Sequence, residues 1–352
     1  MKKLFLSLIA VIVGTMGSYA QSDLVATLTH GSSLTTFTGA TALSEAYTAA
    51  AEGDVITLSP GVFNAVDIEK AITVRGAGMV GLESNGYVST QLTGSMTINV
   101  PSGTSSVLTI EGIHALGTVS MKGDNLAPLN LIKCRFEGTV TGHGVNMNAI
   151  SCIFAQSLFA QSGYENGYGN NIQNTTLNCT SCVICGAGSD GYGGPVVAKI
   201  VATNSIVNYQ NVNSSIFTNC IVTCYGINPN YSSALPNNCS VQNCIGINEC
   251  YCPDLFANIV NSSNVMIEGS GEAAFTPIFK TLTPKVYNHA ITETFELTET
   301  AAATYLGNDG TQVGIYGGSY PFDPTPTNPQ VKKFTVSNST DGDKLKVKIN
   351  VE

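Results

Sequence analysis

The sequence predicts an all-β chain wound as a parallel solenoid, a β-helix, and three observations predict it. Short apolar runs rich in Ile, Val and Thr recur between Gly, Asn, Ser and Pro, as buried strands between turns do. Five of these runs align without gaps: Ile150-Ser151-Cys152-Ile153-Phe154, Thr180-Ser181-Cys182-Val183-Ile184, Thr203-Asn204-Ser205-Ile206-Val207, Thr218-Asn219-Cys220-Ile221-Val222 and Gln242-Asn243-Cys244-Ile245-Gly246. Ile132-Lys133-Cys134-Arg135-Phe136 leads the series. Charged residues make up 11% of the chain while hydrophobic residues hold 43%, so the low charge reflects a β-rich repeat and not disorder.

From Cys134 to Cys244 the aligned position advances by 18, 30, 23, 15 and 24 residues. Uneven steps fit stacked rungs with loops of variable length. Rungs stack about 4.8 Å apart, so aligned residues form columns along the axis.

Residues 1–20 read as a signal peptide. Lys2 and Lys3 form a basic start, Leu4 to Val13 is a short apolar run, and Ser18-Tyr19-Ala20 sets cleavage before Gln21. The run is short for a bilayer span, and no later stretch is longer. The expected location is therefore extracellular or at the cell surface, with the periplasm as the alternative. After cleavage 13 basic and 24 acidic residues remain, a net charge of −11. That disfavours nucleic acid, anionic membrane and acidic polysaccharide as partners.

Ala42 to Ala51 carries Leu43, Ala46, Tyr47 and Ala50 at helical spacing and predicts a short helix near 41–51. Thr41 is its expected N-cap, Glu45 lies in its first turn, and Gly53 is its expected stop. Val55-Ile56-Thr57-Leu58 and Ile72-Thr73-Val74 read as strands around a turn at Ser59-Pro60-Gly61. Val107 to Ile113 repeats the strand-then-glycine pattern.

Residues 49–63, Ala-Ala-Ala-Glu-Gly-Asp-Val-Ile-Thr-Leu-Ser-Pro-Gly-Val-Phe, and then Ile68-Glu69-Lys70-Ala71-Ile72-Thr73-Val74-Arg75-Gly76-Ala77-Gly78, resemble the opening of pectin-lyase-like right-handed parallel β-helix proteins. The resemblance implies a right-handed β-helix over 21–320 whose open N-terminal end is covered by the helix. It says little about activity, because this fold serves many functions. Phe275 to Phe279, Phe295 to Leu297, Ala301 to Ala303 and Gly307 to Gly318 resemble the closing segment of exported β-helix proteins, with Thr300-Ala301-Ala302 where the family usually has Ser-Pro-Ala. Residues 321–330 hold four prolines and predict a semi-rigid linker. Residues 331–352 predict a two-stranded tail with a polar turn at Ser339 to Asp343. A lone hairpin is marginal, so the tail is expected to dock on this chain or on a secretion or attachment partner.

All 11 cysteines lie between Cys134 and Cys252. Cys134, Cys152, Cys182, Cys220 and Cys244 share one predicted column with Ser205. Stacked side chains pointing the same way suit disulfide geometry poorly, so buried free thiols are expected there. Cys179, Cys182 and Cys185 have spacings that suggest metal, but no His partner stands nearby, and no metal or cofactor is expected. Cys250 or Cys252 with Cys239 or Cys224 remains an open pairing. In the resembled family, asparagines such as Asn204, Asn219 and Asn243 stack and bond the backbone at a turn, which implies a structural role.

The family's lyases need an Arg or Lys base with calcium held by Asp, and the related glycoside hydrolases need two or three close carboxylates. Arg75 and Arg135 are the chain's two arginines, and only Glu165, Asp190 and Lys199 are charged between Gly138 and Asn248. Glu165 and Asp190 sit in Gly-rich loops, and His143 reads as a turn residue. Tyr164, Tyr168 and Tyr192 lie in the same loops among amides, a composition suited to sugars. Tyr164, Tyr168, Tyr192, Glu165 and Asp190 are therefore the candidate ligand-binding residues. No catalytic residue is assigned. The expectation is a non-enzymatic, exported scaffold of adhesin-like character that contacts polysaccharide or cell-surface glycan. Two alternatives stand beside it: a polysaccharide lyase or glycoside hydrolase built around Glu165 and Asp190, and a structural envelope subunit that uses the tail.

Overall fold

The computed structural model describes residues 24–79, 89–121, 127–142, 146–155, 158–160, 176–187, 199–209, 212, 214–223, 234–235, 237–247, 254–259, 261, 263–267, 272–281, 294–325, 327, 331–341 and 344–351, the last two ranges as backbone only. The chain is mostly β, 44% strand against 8% helix.

Two long sheets dominate. The first holds Val25–His30, Ser33–Thr38, Val55–Leu58, Thr73–Arg75, Leu108–Glu111, Leu129–Ile132, Asn146–Ile150, Thr176–Thr180, Lys199–Thr203, Ile216–Thr218 and Ser240–Gln242. The second holds Gly61–Asn64, Thr90–Thr93, Ile113–Ala115, Arg135–Phe136, Ile153–Phe154, Val183–Ala187, Ile206–Tyr209, Ile221–Thr223, Ile245–Ile247 and Val265–Ile267. A third lane of Met96–Ile98, Val119–Met121, Val140–Gly142 and Leu158–Ala160 joins the second sheet at Ala187. The chain visits the first sheet, the second and the third lane in turn and then returns to the first. From Val55–Leu58 onward, strands of these sheets pair in parallel with their counterparts later in the chain.

The register follows the sequence alignment. In the first sheet Leu129 pairs with Met147, Met147 with Leu177, Leu177 with Ile200, Ala202 with Phe217 and Phe217 with Val241. These offsets are 18, 30, 23, 15 and 24 residues, the spacing of the Cys/Ser column. Loop length varies while the strand register holds, because the inward side chains set which residues meet.

One left-handed residue turns the chain from the first sheet to the second. Lys133, Ser151, Ser181, Asn204, Asn219 and Asn243 occupy this position with φ between 49° and 55°, and Gly112 does so at 62°. Asn and Gly tolerate this conformation best, which accounts for part of the pattern. The next residue, Cys or Ser, then points inward. Inside, Phe136 and Phe154 stack at 5.3 Å with planes 9° apart, and Leu131, Met147, Leu177, Ile200 and Phe217 face them from the first sheet within one buried cluster.

The helix spans Ala42–Ala49, and its Ala42, Leu43 and Ala46 join the same cluster as Ala26, Leu28 and Ile56. Thr41 does not cap it through its side chain. The Thr41 hydroxyl instead donates to Glu45 at 2.6 Å, so the helix start lacks the expected bond. The helix ends at Ala50, which is extended, three residues ahead of the expected Gly53. Lys70 holds that end, with Nζ donating to the carbonyls of Tyr47 at 2.9 Å and Ala50 at 2.8 Å. A cation there opposes the negative end of the helix dipole. Val25–His30 and Ser33–Thr38 form an antiparallel hairpin on the edge of the first sheet, an element the sequence reading did not contain.

The C-terminal third forms an outer layer. Phe275, Ile278, Phe279, Phe295, Leu297, Ala301, Val313, Ile315 and Phe322 pack on the outward Ile153, Val183, Ile206, Ile221 and Ile245 of the second sheet, giving a second buried cluster. From there the chain runs back along the turn column. Asn308 bonds Asn219, Tyr320 accepts from the Ser181 hydroxyl, Asp323 pairs with Lys133 at 2.7 Å, and Thr327 bonds Glu111. The stretch expected as a linker thus makes contacts with the sheets, and its Phe322 is buried. The tail forms its own antiparallel pair, Val331–Asp341 with Lys344–Val351.

Candidate functional site

Tyr164, Glu165, Tyr168, Asp190, Tyr192 and His143 lie outside the described residues. The chemistry within the described residues falls into three places: the inward column, a polar cluster on the second sheet, and the open face of the first sheet.

The inward column is a hydrogen-bonded ladder. The backbone N–H groups of Cys134, Cys152 and Cys220 donate to the Sγ of Cys152, Cys182 and Cys244 at 3.4, 3.5 and 3.3 Å. Each Sγ in turn donates to first-sheet carbonyls, as Cys152 does to Leu131 and Ile150 at 3.4 Å. Ser205 performs the same job, accepting from the Cys182 N–H at 3.1 Å. A buried N–H must find an acceptor, and at this turn only the next side chain in the column supplies one. Burial raises the thiol pKa of Cys134, Cys152, Cys182 and Cys220 well above the ordinary range, so these thiols stay protonated and unreactive. The eight described cysteines are free. Cys179 and Cys182 belong to the inner cluster, whereas Cys185 belongs to the outer one, so the three do not converge. Among the described residues no group of three His, Cys, Asp or Glu could hold a metal.

The polar cluster lies where the outward stripe of the second sheet changes from apolar to charged. His114 and Arg135 pair across adjacent strands and are both buried. His114 Nε2 lies 3.0 Å from Glu137 Oε1, and Arg135 Nε donates to the same oxygen at 2.5 Å. The His114 bond, joined by Arg135, lowers the Glu137 pKa to about 2 against the burial that raises it. The other arginine is engaged as well: Arg75 Nε donates to Glu111 at 2.9 Å. Both arginines therefore spend their charge on carboxylates within the fold.

The open face of the first sheet carries an amide ladder. Asn148 Nδ2 donates to Asn130 Oδ1 at 3.1 Å, and Asn178 Nδ2 donates to Asn148 Oδ1 at 3.0 Å. Each amide has a second N–H and spare lone pairs beyond these bonds, so the ladder repeats a donor and acceptor at strand spacing. Thr180, Thr203 and Thr218 form a neighbouring hydroxyl column, and Ile150 and Ile216 add exposed apolar patches, 41% and 40% accessible. The sequence held the signal for this ladder: Asn130, Asn148 and Asn178 each stand four residues before a column cysteine.

The asparagines of the turn play a different part. Asn219 Nδ2 donates to Asn204 Oδ1 at 3.4 Å and to Asn308 Oδ1 at 3.0 Å, and its own Oδ1 accepts from the Asn308 N–H at 3.1 Å. The Asn219 amide thus holds the returning C-terminal segment. Glycine permits the approach, since a Cβ on Gly317 would sit 1.8 Å from the Gln312 carbonyl oxygen and 2.8 Å from Asn204 Nδ2.

Searches of family models, curated proteins and solved structures find no match to this chain. The class that the geometry itself defines is a β protein of long parallel sheets with a stacked thiol and amide framework. Among the described residues, no helix is long and apolar enough to cross a membrane.

Proposed function

We propose that the chain is an exported right-handed parallel β-helix of the pectin-lyase-like kind, with the helix at Ala42–Ala49 covering its N-terminal end, and that it is a non-enzymatic surface scaffold contacting neutral glycan. The observation that carries this reading is the uncovered amide and hydroxyl face of the first sheet. Repeated donors and acceptors beside Ile150 and Ile216 suit sugar, which presents hydroxyls at its edge and apolar C–H groups on its ring faces. The pairing of Arg75 with Glu111 and of Arg135 with Glu137 supports the non-enzymatic part, since a lyase needs a basic group free to take a proton.

The test is retention of residues 21–352 on immobilised neutral and acidic polysaccharides, with product formation followed in the same samples. Binding of neutral glycan that falls in Asn148→Ala and Asn178→Ala, without release of products, is expected. Product formation that disappears in Glu165→Gln or Asp190→Asn would replace the scaffold with an enzyme.

A further inference from the structure

The N-terminal end of the first sheet is unfinished. Ser33–Thr38 is the last strand in the order of that sheet, so among the described residues one of its edges has no partner. Its sequence, Ser-Leu-Thr-Thr-Phe-Thr, holds no charge and no proline, and Leu34 is 71% exposed. Folded proteins ordinarily blunt such an edge with lysine, proline, a bulge or a covering segment, because it templates the addition of another strand. Nothing of the kind is built into this strand.

The N-terminal segment that contains this edge is acidic in composition. Residues 24–70 contain Glu45, Glu52, Asp54, Asp67 and Glu69 against Lys70 as the single Lys or Arg. Glu45, Glu52, Asp67 and Glu69 are exposed, while Lys70 is spent on the carbonyls of the helix end. The other end of the chain has the opposite character. Residues 331–352, which hold the hairpin of Val331–Asp341 and Lys344–Val351, contain Lys332, Lys333, Lys344, Lys346 and Lys348 against Asp341, Asp343 and Glu352. Among the described residues it pairs only with itself, which leaves both of its long edges without a partner there, and two strands alone are marginal.

We infer that the C-terminal hairpin of one copy adds to the Ser33–Thr38 edge of a second copy. Main-chain hydrogen bonds extend the first sheet across the contact, and the lysine-rich composition of the hairpin complements the acidic composition of the N-terminal segment. The contact joins two different surfaces, so it propagates head to tail into rings or filaments and does not stop at a symmetric dimer. It is independent of the glycan reading.

The experiment measures the mass of residues 21–352 by light scattering and sedimentation over a wide concentration range. Species larger than a dimer that grow with concentration and shrink with salt are expected. Deleting 331–352, or placing lysines on the edge strand at its exposed positions with Leu34→Lys and Thr36→Lys, should leave monomers. Circular dichroism confirms that each variant folds, and Leu34→Lys alone serves if the lysine pair does not. Mixing the two monomeric variants is the decisive arm. The deleted chain keeps its edge and the edge variant keeps its hairpin, so one-to-one heterodimers should form and grow no further. A wild-type chain that is monomeric throughout, association that survives both changes, or a mixture that stays monomeric would each overturn the inference.

Discussion

The outer faces of the two long sheets are finished in opposite ways. On the second sheet, Ile153, Val183, Ile206, Ile221 and Ile245 are buried under Phe275, Phe279, Phe295 and the rest of the C-terminal layer. On the first sheet, the equivalent outward positions hold Asn130, Asn148, Asn178 and a column of threonines, half-buried or exposed, and among the described residues no hydrophobic cluster packs on the amide ladder. Both faces have the same backbone and rung spacing. The difference shows that the parallel fold fixes where side chains stand and leaves what they do to their chemistry. One face has become core, and the other remains a surface.

The largest effect that separates the faces should come from Phe275, which is 1% exposed and stacks on Phe279 at 5.9 Å. Phe275→Ala should cost about 3–5 kcal/mol, the range for a buried aromatic cut to alanine. Denaturant unfolding checks this, and a loss near zero would mean that the layer rests on the sheet without stabilising it. The ladder inside the turn should give a smaller effect. Cys152→Ala leaves the Cys134 N–H without its acceptor and should cost about 1–3 kcal/mol, whereas Cys152→Ser should cost less because Ser205 already does this work. Equal losses for the two variants would point to volume alone.

The charged end of the second sheet sharpens the comparison through pH. The Glu137 pKa is 4.5 without its partners and about 2 in the fold, so this carboxylate adds stability above 4.5 and loses it as pH falls towards 2. Glu137→Gln should therefore be less stable than the parent at neutral pH, with the gap closing on acidification across that window. A gap that does not change with pH would assign the loss to packing. The smallest effect belongs to the open face. Asn148→Ala should leave stability within about 0.5 kcal/mol, as surface changes usually do. A larger loss would make the amide ladder part of the framework and weaken its reading as a contact face.

The thiol column was legible because a gapless alignment across uneven loops already encodes register. The amide ladder was equally present, four residues upstream, but the alignment began at the turn and stopped short of it. The outer layer also left a trace: Cys152-Ile153-Phe154 and Cys182-Val183-Ile184 lack the polar alternation of a half-exposed strand, which is what burial on both faces produces. What covers such a strand depends on contacts far along the chain, and local pattern cannot supply them. The N-terminal hairpin was missed for a related reason. Ala26 and Leu28 alternate with Thr27 and Thr29 as a half-buried strand should, but the run is short and its partner Ser33–Thr38 is exposed along most of its length and carries no such alternation. Thr41 failed as a cap because its hydroxyl found a better partner in Glu45, a competition between side chains that residue type alone does not resolve.

The returning C-terminal segment changes how such a stack should come apart. A solenoid whose rungs touch only their neighbours frays from its ends, one unit at a time. Here Thr327 is bonded to Glu111 across 216 residues, Asp323 to Lys133 across 190 and Asn308 to Asn219 across 89. Parallel strands that would otherwise touch only their neighbours are tied to a single strap, so the span from Glu111 to Asn219 gains a cooperativity that nearest-neighbour pairing does not provide. The same ties are made by a segment that follows Glu111 to Asn219 in sequence, so that cooperativity arrives only after all the strands it ties have been made.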